Sequence, residues 1–260
     1  MFLSLFPKVE YKLPSGYTYR VSDFTRYFNA NEISLERNSL YNYYNIIDGE
    51  RPDVVSTKLY GFPDYFWTFF LINDHLKNGY GSWPMSYLEF ETHVDYEYEG
   101  VCLQTTESFW EYDHLNLKDI VVLEEDESIT GVIHAINKDL NQIVIKDYSS
   151  ESDWLLSEGN TIVPVNYSSS TPRLTIQKAT EHKYGISHYE NSEESRVPVS
   201  YGLNFNFSGE TIYNQDEILY PVSFIENERK MNDNRSRIRV IKPSRISNFF
   251  DSFKKSIDAG

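Results

Sequence analysis

The segment between Tyr41 and Trp83 is the most heavily punctuated in the chain, and its breaks leave little choice of structure. Tyr41-Asn42-Tyr43-Tyr44-Asn45-Ile46-Ile47 is rich in strand formers and halts at the turn pair Asp48-Gly49. Pro52 follows at a first helical turn, where a missing N–H costs nothing because the donors there have no intrahelical partner. Val54, Val55 and Leu59 share one helical face, and Gly61 with Pro63 ends the segment. Asp64 is placed to cap a second helix over 65–72, which is apolar nearly all round and therefore expected in a core. Asn73-Asp74 closes that helix, Gly79 and Gly81 mark a loop, and Trp83-Pro84 opens a further extended piece. The order predicted is strand, helix, helix, loop, strand.

A second unit, from 101 to 165, reads as all-β. Asp119-Ile120-Val121-Val122-Leu123 is a strand that runs into an acidic turn. Two more strands, 129–136 and 142–145, are joined by the polar turn Asn137-Lys138-Asp139-Leu140-Asn141. Trp154-Leu155-Leu156 and Thr161-Ile162-Val163 complete a small barrel of SH3-like size. Beyond it the chain turns polar, with Ser168-Ser169-Ser170 and Asn191-Ser192-Glu193-Glu194-Ser195, the signature of an extended arm. The stretch 224–239 is charged and reads as helix or connector. Ile238-Arg239-Val240-Ile241 is a short strand halted by Pro243, and Ser244 is placed to cap a last helix. Ile246, Phe249, Phe250, Phe253 and Ile257 form one stripe on that helix, suited to packing on its own domain or to docking a partner.

Charge and composition narrow the function. The net charge of −15 repels a phosphate backbone, so nucleic acid is not an expected partner. The charge is uneven: Glu91, Asp95, Glu97, Glu99, Glu107, Glu111, Asp113 and the run 124–127 lie mid-chain. Arg229, Lys230, Arg235, Arg237, Arg239, Lys242 and Arg245 crowd toward the end. That asymmetry suits solvated faces, contact between copies, or docking on a partner. Aromatic residues make up 16% of the chain, with Tyr 21, Phe 16 and Trp 4, a composition that fills cores and large protein interfaces alike. No run reaches the roughly 18 uncharged apolar residues needed to span a bilayer, and the opening Met1-Phe2-Leu3-Ser4-Leu5-Phe6-Pro7-Lys8 lacks the layout of a signal peptide.

Catalytic and metal signatures are missing from the sequence. The histidines, at 75, 93, 114, 134, 182 and 188, never pair at the i, i+4 spacing of a helical zinc site. Neither a phosphate-cradling glycine loop nor a nucleophile elbow occurs. The single cysteine, Cys102, excludes an intrachain disulfide and becomes a nucleophile only beside a histidine. Carboxylates are numerous, but nothing singles out a glycosidase pair. The expectation is a protein without enzymatic activity, cofactor or metal.

Arg51-Pro52-Asp53, Leu59-Tyr60-Gly61, Tyr65-Phe66-Trp67 and Asn73-Asp74 together resemble the LysM-like unit of the T-even-type bacteriophage baseplate wedge protein 53 family. The opening Phe6-Pro7-Lys8-Val9-Glu10-Tyr11 looks like that family's N-terminus. The stretch Asn232, Arg235, Arg237-Ile238-Arg239-Val240-Ile241-Lys242-Pro243 looks like its ending. His182, Tyr184 and His188 roughly match a His/Tyr-rich element of long members. The resemblance touches both ends and about half the chain; the β-rich stretch has no counterpart in it.

The resemblance implies an α+β fold, with a LysM-like β-α-α-β unit at about 41–84 inside an N-terminal segment that covers 1–98. The strand and turn signals of the residues themselves add an inserted small SH3-like β-barrel at 99–167, an arm at 168–215 and a C-terminal strand and amphipathic helix at 216–260. The resemblance implies a structural subunit of the virion's tail baseplate, assembled in the host cytoplasm. Such a subunit joins adjacent wedges by contacts with other wedge proteins and with neighbouring copies around a sixfold ring. On this reading Pro52, Tyr60, Gly61, Phe66, Trp67, Asn73, Asp74 and Pro243 belong to the motif and core. Arg51, Tyr80, Trp83, Arg237, Arg239, Phe249 and Phe253 are the candidates for partner contact. The alternatives are a peptidoglycan-binding LysM module, with Tyr80 and Trp83 stacking on sugars, and, third, a cell-wall hydrolase.

Overall fold

The computed structural model describes residues 6–23, 40–106, 114–199, 212–214 and 217–259 of the 260. Met1 to Leu5, the acidic Glu107, Glu111 and Asp113, positions 200–211 and 215 of the arm, and position 216 lie outside them. In chain order the elements are β1 (Lys8–Lys12), β2 (Thr18–Ser22), β3 (Tyr41–Asn45), α1 (Pro52–Tyr60), α2 (Trp67–Ile72) and α3 (Tyr87–Glu97). Next come β4 (Val101–Thr105), β5 (Ile120–Leu123), β6 (Asp126–Asn137), β7 (Gln142–Lys146), α4 (Glu151–Leu155), β8 (Thr161–Pro164) and β9 (Leu174–Glu181). Last are β10 (Ile186–Glu190), β11 (Arg196–Val197), β12 (Ile212–Asn214), β13 (Glu217–Ser223), α5 (Phe224–Ser236), β14 (Arg237–Ile241) and α6 (Ile246–Ala259). Helices and strands are mixed, as an α+β chain requires. They fall into two compact units, one of 1–89 with 231–260 and one of 90–230.

In the first unit β3 pairs antiparallel with β14, Tyr43 opposite Arg239. The strand that completes the pair is therefore not the segment near Trp83-Pro84, expected to be extended, which runs instead into helix α3. It comes from the far end of the chain. Asp64, expected to cap the second helix, sits in a 3-10 turn, Pro63–Tyr65, and α2 starts at Trp67 behind an N-cap residue with no side-chain bond. Gly61 ends α1 with φ +79°, a left-handed turn that a side chain would strain, and its N–H returns to Thr57 O. Ser244 likewise lies in a 3-10 turn, Pro243–Arg245, that leads into α6. Val55, Phe69, Leu76, Trp83, Ile238 and Val240 form one core cluster. Trp67, Ile72, Ile241, Ile246, Phe249, Phe253 and Ile257 form the other, with Phe6 packed against it. Each such buried side chain contributes about 1.5–3 kcal/mol by leaving water.

The second unit contains a closed six-stranded barrel in the order β4-β7-β6-β5-β8-β9. Strands β5 to β8 fall where the sequence places them, but two expectations are corrected. Trp154 and Leu155 belong to the short helix α4, not to a strand. Ser150 caps that helix by accepting from Asp153 N, and Trp154 is fully buried in the barrel core with its indole N–H donated to Thr130 O at 3.1 Å. The barrel closes through β9, which pairs with β4 and β8 and lies in the stretch read as an arm. That stretch also supplies β10 and β11, which join β13 and β12 in a four-stranded sheet ordered β11-β10-β13-β12.

Candidate functional site

The residues singled out from three distant stretches meet in the first unit, and asparagine side chains hold them there. Lys242 N donates to Leu40 O, and Ile46 N to Ser236 O. In an antiparallel ladder this alternation aims the N–H and C=O of Arg239 away from β3. Asn73 receives them. Arg239 N donates to Asn73 Oδ1 at 2.8 Å, and Asn73 Nδ2 donates to Arg239 O at 2.9 Å and to Phe69 O at 2.8 Å. The amide thus acts as a short extra strand, while the Arg239 guanidinium donates to Ile72 O at 2.6 Å and caps α2. Asn232 repeats the device on Met85, accepting from its N–H at 2.8 Å and donating to its carbonyl at 3.1 Å.

Glu50 organises the turn before α1. Tyr44 Oη and Ile47 N donate to one carboxylate oxygen, and Lys58 pairs with the other. Burial opposes the charge on Glu50, but the bonds from Lys58, Ile47 and Tyr44 outweigh it and hold the carboxyl below its usual range. Tyr44, half-buried and facing that carboxylate, is pushed up to about 12.

The interface candidates separate into two groups. Trp83 is buried among Phe69 and Phe70, and its indole N–H donates to Glu50 O at 2.7 Å. Phe249 and Phe253 are 6% and 1% exposed, and the Phe253 ring centroid lies 4.4 Å from that of Trp67. Their assignment as docking residues is therefore corrected: α6 turns its apolar stripe into its own unit. Arg51, Tyr80 and Arg237 are exposed and Arg239 half-buried. The remaining motif residues are structural: Pro52 is buried at the start of α1, and Tyr60 packs on Tyr65 and Phe69. Burial raises the Tyr60 phenol well above its usual range. Phe66 lies against Phe70 and Tyr80. Asp74 pairs with Lys77 on the surface, and Pro243 is exposed.

Sequence reasoning missed the partners of the two arginines. Arg237 lies 4.9 Å over the Tyr43 ring and Arg239 5.8 Å over Tyr41, so one face of β3 and β14 carries two cation–π pairs, the first exposed and the second half-buried against the core. Its signal was present: tyrosines two apart in one strand and arginines two apart in another share a face. Tyr and Arg are the side chains that most often carry binding energy at protein interfaces. The units also differ in charge. Residues 1–89 and 231–260 hold 15 Lys and Arg against 13 Asp and Glu, a net of +2. Of the chain's 24 and 39 this leaves 9 and 26 in residues 90–230, a net of −17.

Elsewhere the reactive side chains are occupied by packing. Cys102 is buried against Gly185, where an added Cβ would lie 2.8 Å from the sulfur, and burial pushes its thiol up to about 12. His182 lies edge-on to Tyr98 and Phe224, and burial lowers its pKa. His188 bonds Ser187 and Glu190. Among the described residues no group of three or more His, Cys, Asp or Glu is placed to hold a metal ion, and no helix is long and apolar enough to cross a membrane. No model of a known protein family matches this chain, and no curated protein matches its sequence.

Proposed function

We propose that this chain is a non-enzymatic baseplate wedge subunit of a contractile phage tail, located in the virion after assembly in the host cytoplasm. It joins adjacent wedges through contacts with other wedge proteins and neighbouring copies. The observation that carries the reading is the Asn73–Arg239 clamp. It brings two pieces of the resemblance, 166 residues apart in the chain, into one unit, which is what a β-α-α-β arrangement closed by β14 requires. The exposed pair of Tyr43 and Arg237, with Arg51 and Tyr80 on the same unit, supplies rigid aromatic and guanidinium contacts for a partner. The peptidoglycan reading is weaker, because the Trp83 ring that would stack on a sugar is committed to the core.

The test is mass spectrometry of purified phage particles fractionated into heads, sheaths and baseplates. The chain is expected in the baseplate fraction in fixed ratio to the other wedge proteins. Absence from particles, together with cosedimentation with isolated sacculi, would overturn the reading in favour of glycan binding.

A further inference from the structure

Among the described residues two sheets have only two strands, the β1–β2 hairpin and the pair of β3 with β14. The second of these has one edge closed and one open. On the β14 edge Asn73 takes the N–H and C=O of Arg239. The β3 edge has no such cover. The bonds Ile46 N to Ser236 O and Lys242 N to Leu40 O fix the alternation, so residues 40, 42, 44 and 46 are the ones that bond β14. Tyr41, Tyr43 and Asn45 therefore aim their backbone N–H and C=O away from β14. Among the described residues none of these groups has a hydrogen-bond partner. Tyr43 is 67% exposed, and Asn42 and Asn45 beside it are exposed as well.

An open edge is a template for another strand, and proteins guard it with a charge, a proline or a bulge. Tyr41-Asn42-Tyr43-Tyr44-Asn45 has none of the three. It carries no charge and no proline, and it pairs with β14 without a register shift.

We propose that this edge pairs with the same edge of a second copy, β3 antiparallel to β3 about a twofold axis at Tyr43. The strand is complementary to itself in that register. Tyr43 lies opposite Tyr43 of the second copy, Tyr41 opposite its Asn45 and Asn45 opposite its Tyr41. Outward groups thus meet outward groups throughout, and the three pairs close two backbone hydrogen bonds each. On the other face Asn42 meets Tyr44. No like charges are set opposite one another, the usual obstacle to pairing a strand with its own copy. The contact is isologous and closed, a dimer with strand order β14-β3-β3-β14 that grows no further. It goes beyond the wedge reading and does not rest on it: dimerisation is measured on the purified chain, so either can fail while the other stands.

Sedimentation velocity of the full chain from about 1 to 200 µM tests the pairing. The weight-average mass is expected to climb from 30.5 kDa to twice that value and stop there. With no charged pair across the contact, the dimer is expected to persist in about 500 mM salt. Tyr43→Lys and Tyr43→Glu each set two like charges across the axis and are expected to weaken the dimer at least tenfold in about 50 mM salt. Mixed in equal amounts, the two variants set opposite charges there, and dimerisation is expected to return. Position 43 is on the surface and its backbone bonds nothing within the chain, so β3 keeps its ladder with β14; circular dichroism checks that both variants fold. A monomer at every concentration overturns the proposal and leaves the edge to a strand of another protein. Growth past the dimer overturns it too, as does association that neither variant weakens or a mixture no better than either variant alone.

Discussion

Replacing Asn73 by alanine removes three hydrogen bonds from a side chain only 2% exposed. The N–H and C=O of Arg239 then face an apolar core with no strand to receive them, and Phe69 O loses its side-chain donor. A net bond contributes about 0.5–1.5 kcal/mol, and a stranded buried group costs about 1–3 kcal/mol. Counting the three bonds, and allowing Phe69 O to keep a helical partner, gives a loss of about 2–4 kcal/mol. Hydrogen exchange read by mass spectrometry reports on the strand directly. Protection of peptides covering β14 is expected to fall roughly 30- to 1000-fold, at 1.36 kcal/mol per decade. Asn73→Asp separates the clamp from mere packing. The introduced carboxylate accepts from Arg239 N but confronts two carbonyl oxygens, so its folded-state pKa is raised above the unfolded one. Stability is then highest below the ordinary carboxyl range and is lost as pH rises through the raised value. Protection of β14 unchanged within twofold in Asn73→Ala would refute the reasoning.

Three further outcomes follow from the same packing. Phe253→Ala empties a site against Trp67 and Phe6 and is expected to cost about 3–5 kcal/mol in urea unfolding; a loss below about 1 kcal/mol would mean that α6 does not belong to the core. Tyr80→Ala with Arg237→Ala removes one aromatic edge and one cation–π contact and is expected to cost about 1–2 kcal/mol, leaving the chain folded, while reducing incorporation into reconstituted wedges, and full incorporation would remove these residues from the interface. Burial raises Cys102 from 9.0 and Tyr189 from 10.0, each to about 12, and Tyr44 rises likewise. Their folded pKa values exceed the unfolded ones, so the stabilisation is complete below pH 9 and lost as pH climbs toward 12. A urea midpoint that holds steady from pH 8 to 11 would contradict this.

The helix α6 and the strands β5 to β8 were legible because their signals are local. Ile246, Phe249, Phe253 and Ile257 repeat at helical spacing, and all four are buried. Strand β9 was not legible, because its apolar residues change parity: Leu174 and Ile176 point inward, then Ala179 does, after the register shift near Gln104 and Thr105. A bulge erases the alternation from which a strand is read. Strand β14 was recognisable as a strand, but no local residue announces that its partner is β3. The hairpin had a clean signal, Lys8-Val9-Glu10-Tyr11-Lys12 before Pro14-Ser15-Gly16, and could have been read as alternation into a turn. Trp83 and the α6 phenylalanines were misassigned because an aromatic suited to an interface is equally suited to a core. Only burial tells the two apart.

The dependence of the first unit on β14 also sets an order on synthesis. Asn73 leaves the ribosome 166 residues before Arg239, a delay of roughly 8–33 s at about 5–20 residues per second. Through that interval Trp67, Phe69 and Ile72 have been made, but the strand and helix that cover them have not. Residues 90–230 are complete within the same interval and have all their barrel strands in hand. The nascent chain therefore carries a finished barrel while its earlier half still waits, and a ribosome that stalls before residue 237 releases an aromatic surface to chaperones and proteases.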